Sequence, residues 1–547
     1  MAPRAQSRGG VPPAAPPGRS EPVLRAVSVV GRMTLLSRAA GVAREWLLAR
    51  IFGTATEFSA FVVAFQIPNL FRALFGEGAL SAAFVPVYTE TLVREGPEEA
   101  NRLVARVAGL LVAVLGGVTA LGILLALALQ HWWFPAGSRW AEILPLLRIM
   151  LPYAPLICLA ALAMGALNAL RHFSMPALAP VFLNLINIAA LALVCPFLPD
   201  DAGLRIRVLS WSVVAAGVVQ VAVQLPALAR RGVRLRLRCD WRPDARVRRI
   251  LGLMAPMMLG VGVFQINVVV DQFIAMWAAP WAPAALRFAD LVAYLPQGLI
   301  GTAFGTVLLA AFSRQAAAGD IAGMAATLER NLRHAWLIVA PAAVALTVLA
   351  LPVVRFLYLW PGGRFDEQDA VWTMRALAGL APGLLFFCLW KVLTPAFYAL
   401  KDTRTPLRVA LWGVGLNLGL NVLFVITWPP GWKHVGLAVS TVIVSGLNGV
   451  TLARELRRRI GAPRRDALAP AVFGIAAAML AMGVATWETH IWFGEALRHA
   501  VRAAKVAEFL ALAGAGTCGL LVYLAVIRLL HPAALRQAIE DLLHRRR

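Results

Sequence analysis

Residues 166–187 read ALNALRHFSMPALAPVFLNLIN, and residues 396–417 read AFYALKDTRTPLRVALWGVGLN. The two stretches align at an offset of 401 − 171 = 230. Pro152 then meets Pro382, Arg171 meets Lys401, Pro176 meets Pro406 and Asn187 meets Asn417. A second echo lies at 296 − 68 = 228, where Pro68 meets Pro296 and the AAF of 82–84 meets that of 310–312. Near-constant offsets over three segment pairs argue against chance likeness between Leu/Ala-rich runs. They point to an internal duplication of six helices. An even number of helices keeps both copies in one orientation, so the expectation is two lobes related by a twofold-like axis.

Composition says what surrounds those helices. The chain has 547 residues, 60% of them hydrophobic and 15% charged, with a mean hydropathy of +0.72. This is the balance of an all-α polytopic membrane protein, in which each apolar run of about 20 residues crosses a core about 30 Å thick. The runs predict helices at 27–50, 59–88, 101–130, 142–170, 178–198, 206–229, 248–277, 284–313, 325–350, 372–399, 407–427, 434–456, 467–487 and 506–530. That gives about fourteen spans, with both termini on one side and the axis of the duplication along the membrane normal.

Charge supports the count. The 52 Lys+Arg outweigh the 28 Asp+Glu by 24, which in a soluble protein would suggest nucleic acid. Here the basic residues fall mostly in alternate connections, and no nucleic-acid-binding motif accompanies them. The stretch 230–249 holds nine arginines and two aspartates. Arg454, Arg457, Arg458, Arg459, Arg464 and Arg465 follow span twelve, and the chain ends HRRR. A fourteen-span arrangement puts all three on one side, expected to be the cytoplasm. The organisation read from this is a disordered cytoplasmic tail (1–26), a first lobe (27–229), a basic loop (230–247), a second lobe (248–456), and two further helices with a cytoplasmic C-terminus (457–547). Cys158, Cys195, Cys239, Cys388 and Cys518 are scattered without metal or disulfide spacing, so small apolar filler is the expectation. No Walker A, HExxH or GxSxG motif is present. A transporter is expected rather than an enzyme.

The chemistry lies in the first span, where Arg32, Arg38, Arg44 and Arg50 recur every sixth residue. A mid-bilayer arginine costs a few kcal/mol on insertion scales. Six residues rise about 9 Å and turn about 240°, so the four cannot share one stripe, and the helix must be enclosed by protein or line a polar cavity. Span two adds Asn69, Arg72 and Glu77, with Pro68, Gly76 and Gly78 as helix interruptions. Span seven adds Gln265, Asn267 and Asp271, and span eight adds Arg287 and Asp290. For any single pair, a structural ion pair that pins two helices is the other reading. For the whole set, surplus guanidinium between two lobes suits an anion, and arginine binds phosphate oxygens in a planar fork. A diphosphate carried by a lipid fits both the charge and the setting.

The motifs LSRAAGVAREWLLARIFG, FVVAFQIPNLFRALFGEGALSAAFVPVY, ALNALRHFSMPALAPVFLN and FADLVAYLPQGLIGTAFGTVLLAAFS resemble the MurJ/MviN family, over residues 30 to about 460. The resemblance implies a lipid II flippase of the multidrug/oligosaccharidyl-lipid/polysaccharide exporter superfamily. Such a protein carries undecaprenyl-diphosphate-linked peptidoglycan precursor across the bacterial inner membrane, with its last two helices as a groove for the lipid tail. It implies substrate contacts at Arg38, Arg44, Asn69, Arg72, Glu77 and Asp290. It also implies a sodium site at Asp271, Asn417 and Asn421, with packing as the other reading of the two asparagines. No further cofactor is implied, and the partners are lipid II and membrane lipids, with a monomer as the acting unit. The sequence departs from the family at three places: Ser59 replaces an aspartate, Ala73 the second arginine of PNLLRR, and Leu291 the arginine after the helix-eight aspartate. Arg287, one turn before Leu291, is expected to reach the same space. Three other readings stay open: a related exporter of another polyprenyl-linked glycan or of a drug, a membrane enzyme acting on polyprenyl phosphates, and a transport-inactive scaffold.

Overall fold

The structure, a computed structural model, describes residues 21–536 except 77–78, 135–136, 173, 236–243, 462–464, 502 and 533–535. Glu77 and Cys239 therefore lie outside the described residues, as does the expected tail up to residue 20. Fourteen long helices, with no strand among the described residues, make up the fold. They are α1 (Glu21–Phe52), α2 (Thr56–Arg94), α3 (Pro97–Trp132), α4 (Ile143–Ala169), α5 (Ser174–Phe197), α6 (Ala202–Arg230) and α7 (Ala245–Ala278). There follow α8 (Ala282–Ala317), α9 (Ile321–Val348), α10 (Glu367–Ala399), α11 (Arg404–Thr427), α12 (Lys433–Ile460), α13 (Arg465–Ala500) and α14 (Ala504–Leu530). Twelve of them are long and apolar enough to cross a bilayer by length and composition. Their outer faces carry large exposed apolar side chains, including Trp132, Trp412, Phe473 and Leu480, as lipid contact requires. The α1 helix is already helical at Glu21, the first described residue and six residues before the expected boundary. A short helix, Ala350–Tyr358, follows α9 where a loop was expected.

The two six-helix lobes repeat one packing scheme. In the first, α4 packs on α2, α3 and α6, and α5 on α1 and α6; in the second, α10 packs on α8, α9 and α12, and α11 on α7 and α12. The repeat extends to backbone detail. Arg171 (φ 56°) and Lys401 (φ 59°) are the two non-glycine residues with positive φ among the described residues. Each closes its helix with the same pair of bonds. His172 N–H donates to Leu167 O (2.8 Å) and Arg171 N–H to Asn168 O; Asp402 N–H donates to Phe397 O (2.9 Å) and Lys401 N–H to Tyr398 O. This is the Schellman pattern, at a left-handed position that costs an L-residue roughly 1–2 kcal/mol. Pro152 and Pro382 both stand where their helix is interrupted. Asn187 accepts from Ser212 across α5 and α6 (3.0 Å), and Asn417 donates to Ser440 across α11 and α12 (3.2 Å). The last two helices stand outside the repeat: α13 and α14 pack on each other, α13 also on α9, and α14 also on Ala350–Tyr358.

The lobes are clamped at the end opposite the basic connections. In the α1–α2 turn, Thr54 donates through its N–H (3.0 Å) and its hydroxyl to Asp369 at the start of α10. Arg364 N–H donates to Arg50 O (2.8 Å), and its guanidinium reaches Asp200 (2.6 Å). Gly53 makes the close approach feasible. Its φ is +57°, and a Cβ there would lie 2.5 Å from Asp369 Oδ2 and 2.9 Å from Arg364 O. Beneath the clamp Phe58 of α2 stacks on Phe288 of α8 at 5.4 Å, adding a few tenths to about 1.5 kcal/mol beyond area burial.

Candidate functional site: a guanidinium-lined cavity between the lobes

Position 72 marks a change in helix type. The expected interruption of α2 falls at a π-turn, Arg72–Gly76, whereas Pro68 stays inside regular helix. A π-turn widens the backbone spiral and is frequent at functional sites. Here it presents Arg72, whose Nε donates to Asn69 Oδ1 at 2.8 Å. Both residues line a cavity of about 470 Å³ together with Ser37, Arg44, Asn184, Gln220 and Arg287.

Arg44 and Arg287 meet on one carboxylate. Arg44 Nη2 and Arg287 Nη2 both donate to Glu45 Oε1, and the Glu45 side chain is 2% exposed. Arg44 Nη1 donates to Asn184 Oδ1 (2.9 Å), and Asn184 Nδ2 donates to Ser37 O (3.0 Å), which fixes α5 against α1. The Nε groups of Arg44 and Arg287 are buried without a hydrogen-bond partner among the described residues, as are Tyr153 OH and Gln220 Oε1. Two guanidiniums against one carboxylate leave a net positive charge with unused donors, and an unsatisfied buried donor costs about 1–3 kcal/mol. A bound anion would recover that cost. Arg287 comes from the second lobe and Arg44 from the first, so the pair bridges the boundary.

The other expected residues are distributed as follows. Arg38 is exposed and does not line this cavity. Asp290 lies with Asp271 in a second cavity of about 250 Å³, inside the second lobe, which Asn267, Gln272, Asn417 and Asn448 also line. There Asp271 accepts from Asn421 Nδ2 (2.7 Å) and Asn267 Nδ2 (3.1 Å). Asn417 Oδ1 accepts from Asn421 (3.1 Å), and Ser440 donates to Asn421 Oδ1. The sequence places Glu45 among the acids facing Arg38, Arg44 and Arg72, but not its sharing with Arg287, nor the parts of Asn184 and Gln220. Glu45 adjoins Arg44, so its charge was a visible signal; Asn184 is 140 residues away from its partner, and no local pattern could have linked them.

Two six-helix lobes around a cationic cavity define a multi-pass membrane transporter. A family model described as Lipid II flippase MurJ matches residues 48–505. The chain belongs to the MurJ family. It is similar to the Lipid II flippase MurJ of Burkholderia cenocepacia, with 35% identity over 475 residues, 85% of this chain and 90% of that protein. It is likewise similar to a Probable lipid II flippase MurJ of Rhizobium tropici, with 37% identity over 435 residues, 79% of this chain and 80% of that one. Among solved structures it matches a Lipid II flippase MurJ in an inward closed conformation, with TM-score 0.70 and 23% identity, covering 92% of this chain and 99% of that one. An inward-facing multidrug resistance MATE family transporter of the MOP superfamily matches with TM-score 0.62 and 15% identity, covering 80% and 98%. These structures share the fold.

Proposed function

We propose that this chain is a lipid II flippase that moves undecaprenyl-diphosphate-linked peptidoglycan precursor from the inner to the outer leaflet by alternating access, for cell wall synthesis. The observation that carries the reading is the Arg44–Glu45–Arg287 cluster, in which one carboxylate is shared by guanidiniums of both lobes. A diphosphate brings two or more negative charges and planar-fork acceptors to the same donors. Arg44, Arg72 and Arg287 hold the phosphates, and Asn69 orients Arg72. Arg287 takes the role that the family's missing arginine at Leu291 would have, and its reach to Glu45 supports this. The isoprenoid tail stays in the bilayer beside α13 and α14. An apolar groove of about 850 Å³ between α9, α10 and α13, lined by Leu480, Val484 and Trp487, supports that placement. The basic end faces the cytoplasm of a bacterial inner membrane, both termini lie there, and the monomer is the working unit.

We further propose that Asp271, Asn417 and Asn421 hold a sodium ion. Oxygen donors from α7 and α11, with Ser440 of α12 beside them, suit a hard cation. Sodium-dependent thermal stabilisation of the purified protein, abolished by Asp271→Asn, is the expected result; equal stabilisation by potassium would remove the ion assignment.

The test of the main reading is complementation. Cells depleted of their flippase should grow when they express this chain, and should lyse when they express Arg44→Ala or Arg287→Ala at the same level. Failure of the well-expressed parent to rescue would overturn the reading.

A further inference from the structure

The duplication relates two seams between the lobes, α1 against α8 and α7 against α2. They are closed differently. The α7 helix packs along most of α2 and joins, through Ile250 and Met254 (2% and 3% exposed), the apolar core to which both lobes contribute. The α1 helix instead packs along α5, leaving Leu35, Leu36 and Val42 at 69%, 49% and 42% exposure. The Glu45–Arg287 pair joins α1 to α8.

A belt of charge covers the α2/α7 seam at its basic end. Arg246, on the first turn of α7, reaches Glu95 (2.7 Å) and Glu99 (3.3 Å) of the first lobe and Asp244 (3.2 Å). Arg249 reaches Glu90 of α2 (2.8 Å), and Arg106 of α3 reaches Asp244 (2.5 Å). Asp244 also caps α7 by accepting from Arg246 N–H (2.8 Å), so the start of the helix is fixed. The belt is partly buried, with Asp244 6% and Arg246 22% exposed. Networked, part-buried pairs are worth more than isolated surface ones. Burial works against the Asp244 charge, but hydrogen bonds from Arg246 and Arg106 outweigh it and hold the carboxyl at about 2. Asp244 therefore stays charged at ordinary pH, and ionic strength is the condition that weakens the belt.

We propose that this belt is a latch that holds the α2/α7 seam shut at the basic end, with Arg246 as its positioning residue. The latch does not depend on the flippase reading.

The experiment reads seam opening directly, on purified protein without substrate. The five native cysteines are replaced by alanine, Ile250→Cys is introduced beneath the belt, and labelling by a water-soluble maleimide is timed. Arg246→Glu should speed labelling about fivefold or more, and adding Glu99→Arg to that variant should return the rate to within about twofold of the parent. The thermal midpoint and elution profile of each variant are checked alongside. Unchanged labelling in Arg246→Glu, or faster labelling that the charge swap does not reverse, overturns the latch. If Arg246→Glu does not fold, the parent in 1 M KCl decides. Labelling about threefold faster than at low salt supports the latch, and a rate independent of salt overturns it. Loss of the flippase reading would show in complementation, with the labelling result unaffected.

Discussion

Glu45 pairs with one guanidinium from each lobe at a site where its own side chain is 2% exposed. Removing a shared buried anion leaves two cations facing each other, so Glu45→Ala is expected to cost about 3–5 kcal/mol of stability. Glu45→Gln, which keeps an acceptor, should cost less; thermal unfolding of the purified protein measures both. A second prediction tests whether Arg287 stands in for the arginine absent at Leu291. Arg287 and Leu291 are four residues apart, about 40° around the helix. Arg287→Ala should abolish rescue of flippase-depleted cells, and Arg287→Ala with Leu291→Arg should restore it. This part of the site was legible because an i, i+4 step can be read along the chain. Asp290 illustrates the opposite. Only about 60° from Arg287 around the axis, it lines the other cavity, and the direction of a side chain within a bundle depends on neighbours distant in sequence.

Among the elements, two turns make separate demands. Gly53 sits at φ +57° with Asp369 and Arg364 in the way of any Cβ. Gly53→Ala should cost about 1–3 kcal/mol. The loss should not add to that of Asp369→Ala in a double-mutant cycle, because both loosen one clamp. The α10–α11 turn carries a pH signature. Asp402 accepts from Arg404 N–H (2.9 Å) and Thr405 N–H (3.0 Å) and pairs with Arg459. Burial opposes its charge, yet the Thr405 hydrogen bonds and Arg459 outweigh it and hold the carboxyl at about 2. A carboxyl lowered on folding stabilises above its unfolded value, near 3.9. The stability gap between the parent and Asp402→Ala should be constant from pH 7 to about 4. It should close as pH falls toward 2, as followed by thermal midpoints. Helix positions were legible from apolar runs. The π-turn at Arg72–Gly76 was legible only as a weakness of α2, because proline and glycine show where a helix can yield and packing decides how it does so.

For the molecule as a whole, alternating access requires the Thr54–Asp369 clamp to release on each cycle. A Thr54→Cys/Asp369→Cys pair should therefore stop rescue under oxidising conditions and recover it with a reductant, while each single variant responds to neither. Rescue that persists with the disulfide formed would mean that the lobes do not part there. The duplication was the most legible feature of the chain. Its 230-residue register survives down to the left-handed Arg171 and Lys401. The belt on the α2/α7 seam was not legible, since Arg246 and Glu95 stand 151 residues apart and the duplication predicts equal seams.

Arg287 also bears on how such chains are sorted. A screen that demands arginine immediately after the helix-eight aspartate would discard this one, although its guanidinium ends on the same first-lobe acid that anchors Arg44. If Leu291→Arg restores rescue to Arg287→Ala, charge delivered to a point in space has moved by one helical turn without changing its destination. In that case column-by-column identity undercounts proteins of this kind, and a search keyed to where the side chain terminates would recover them.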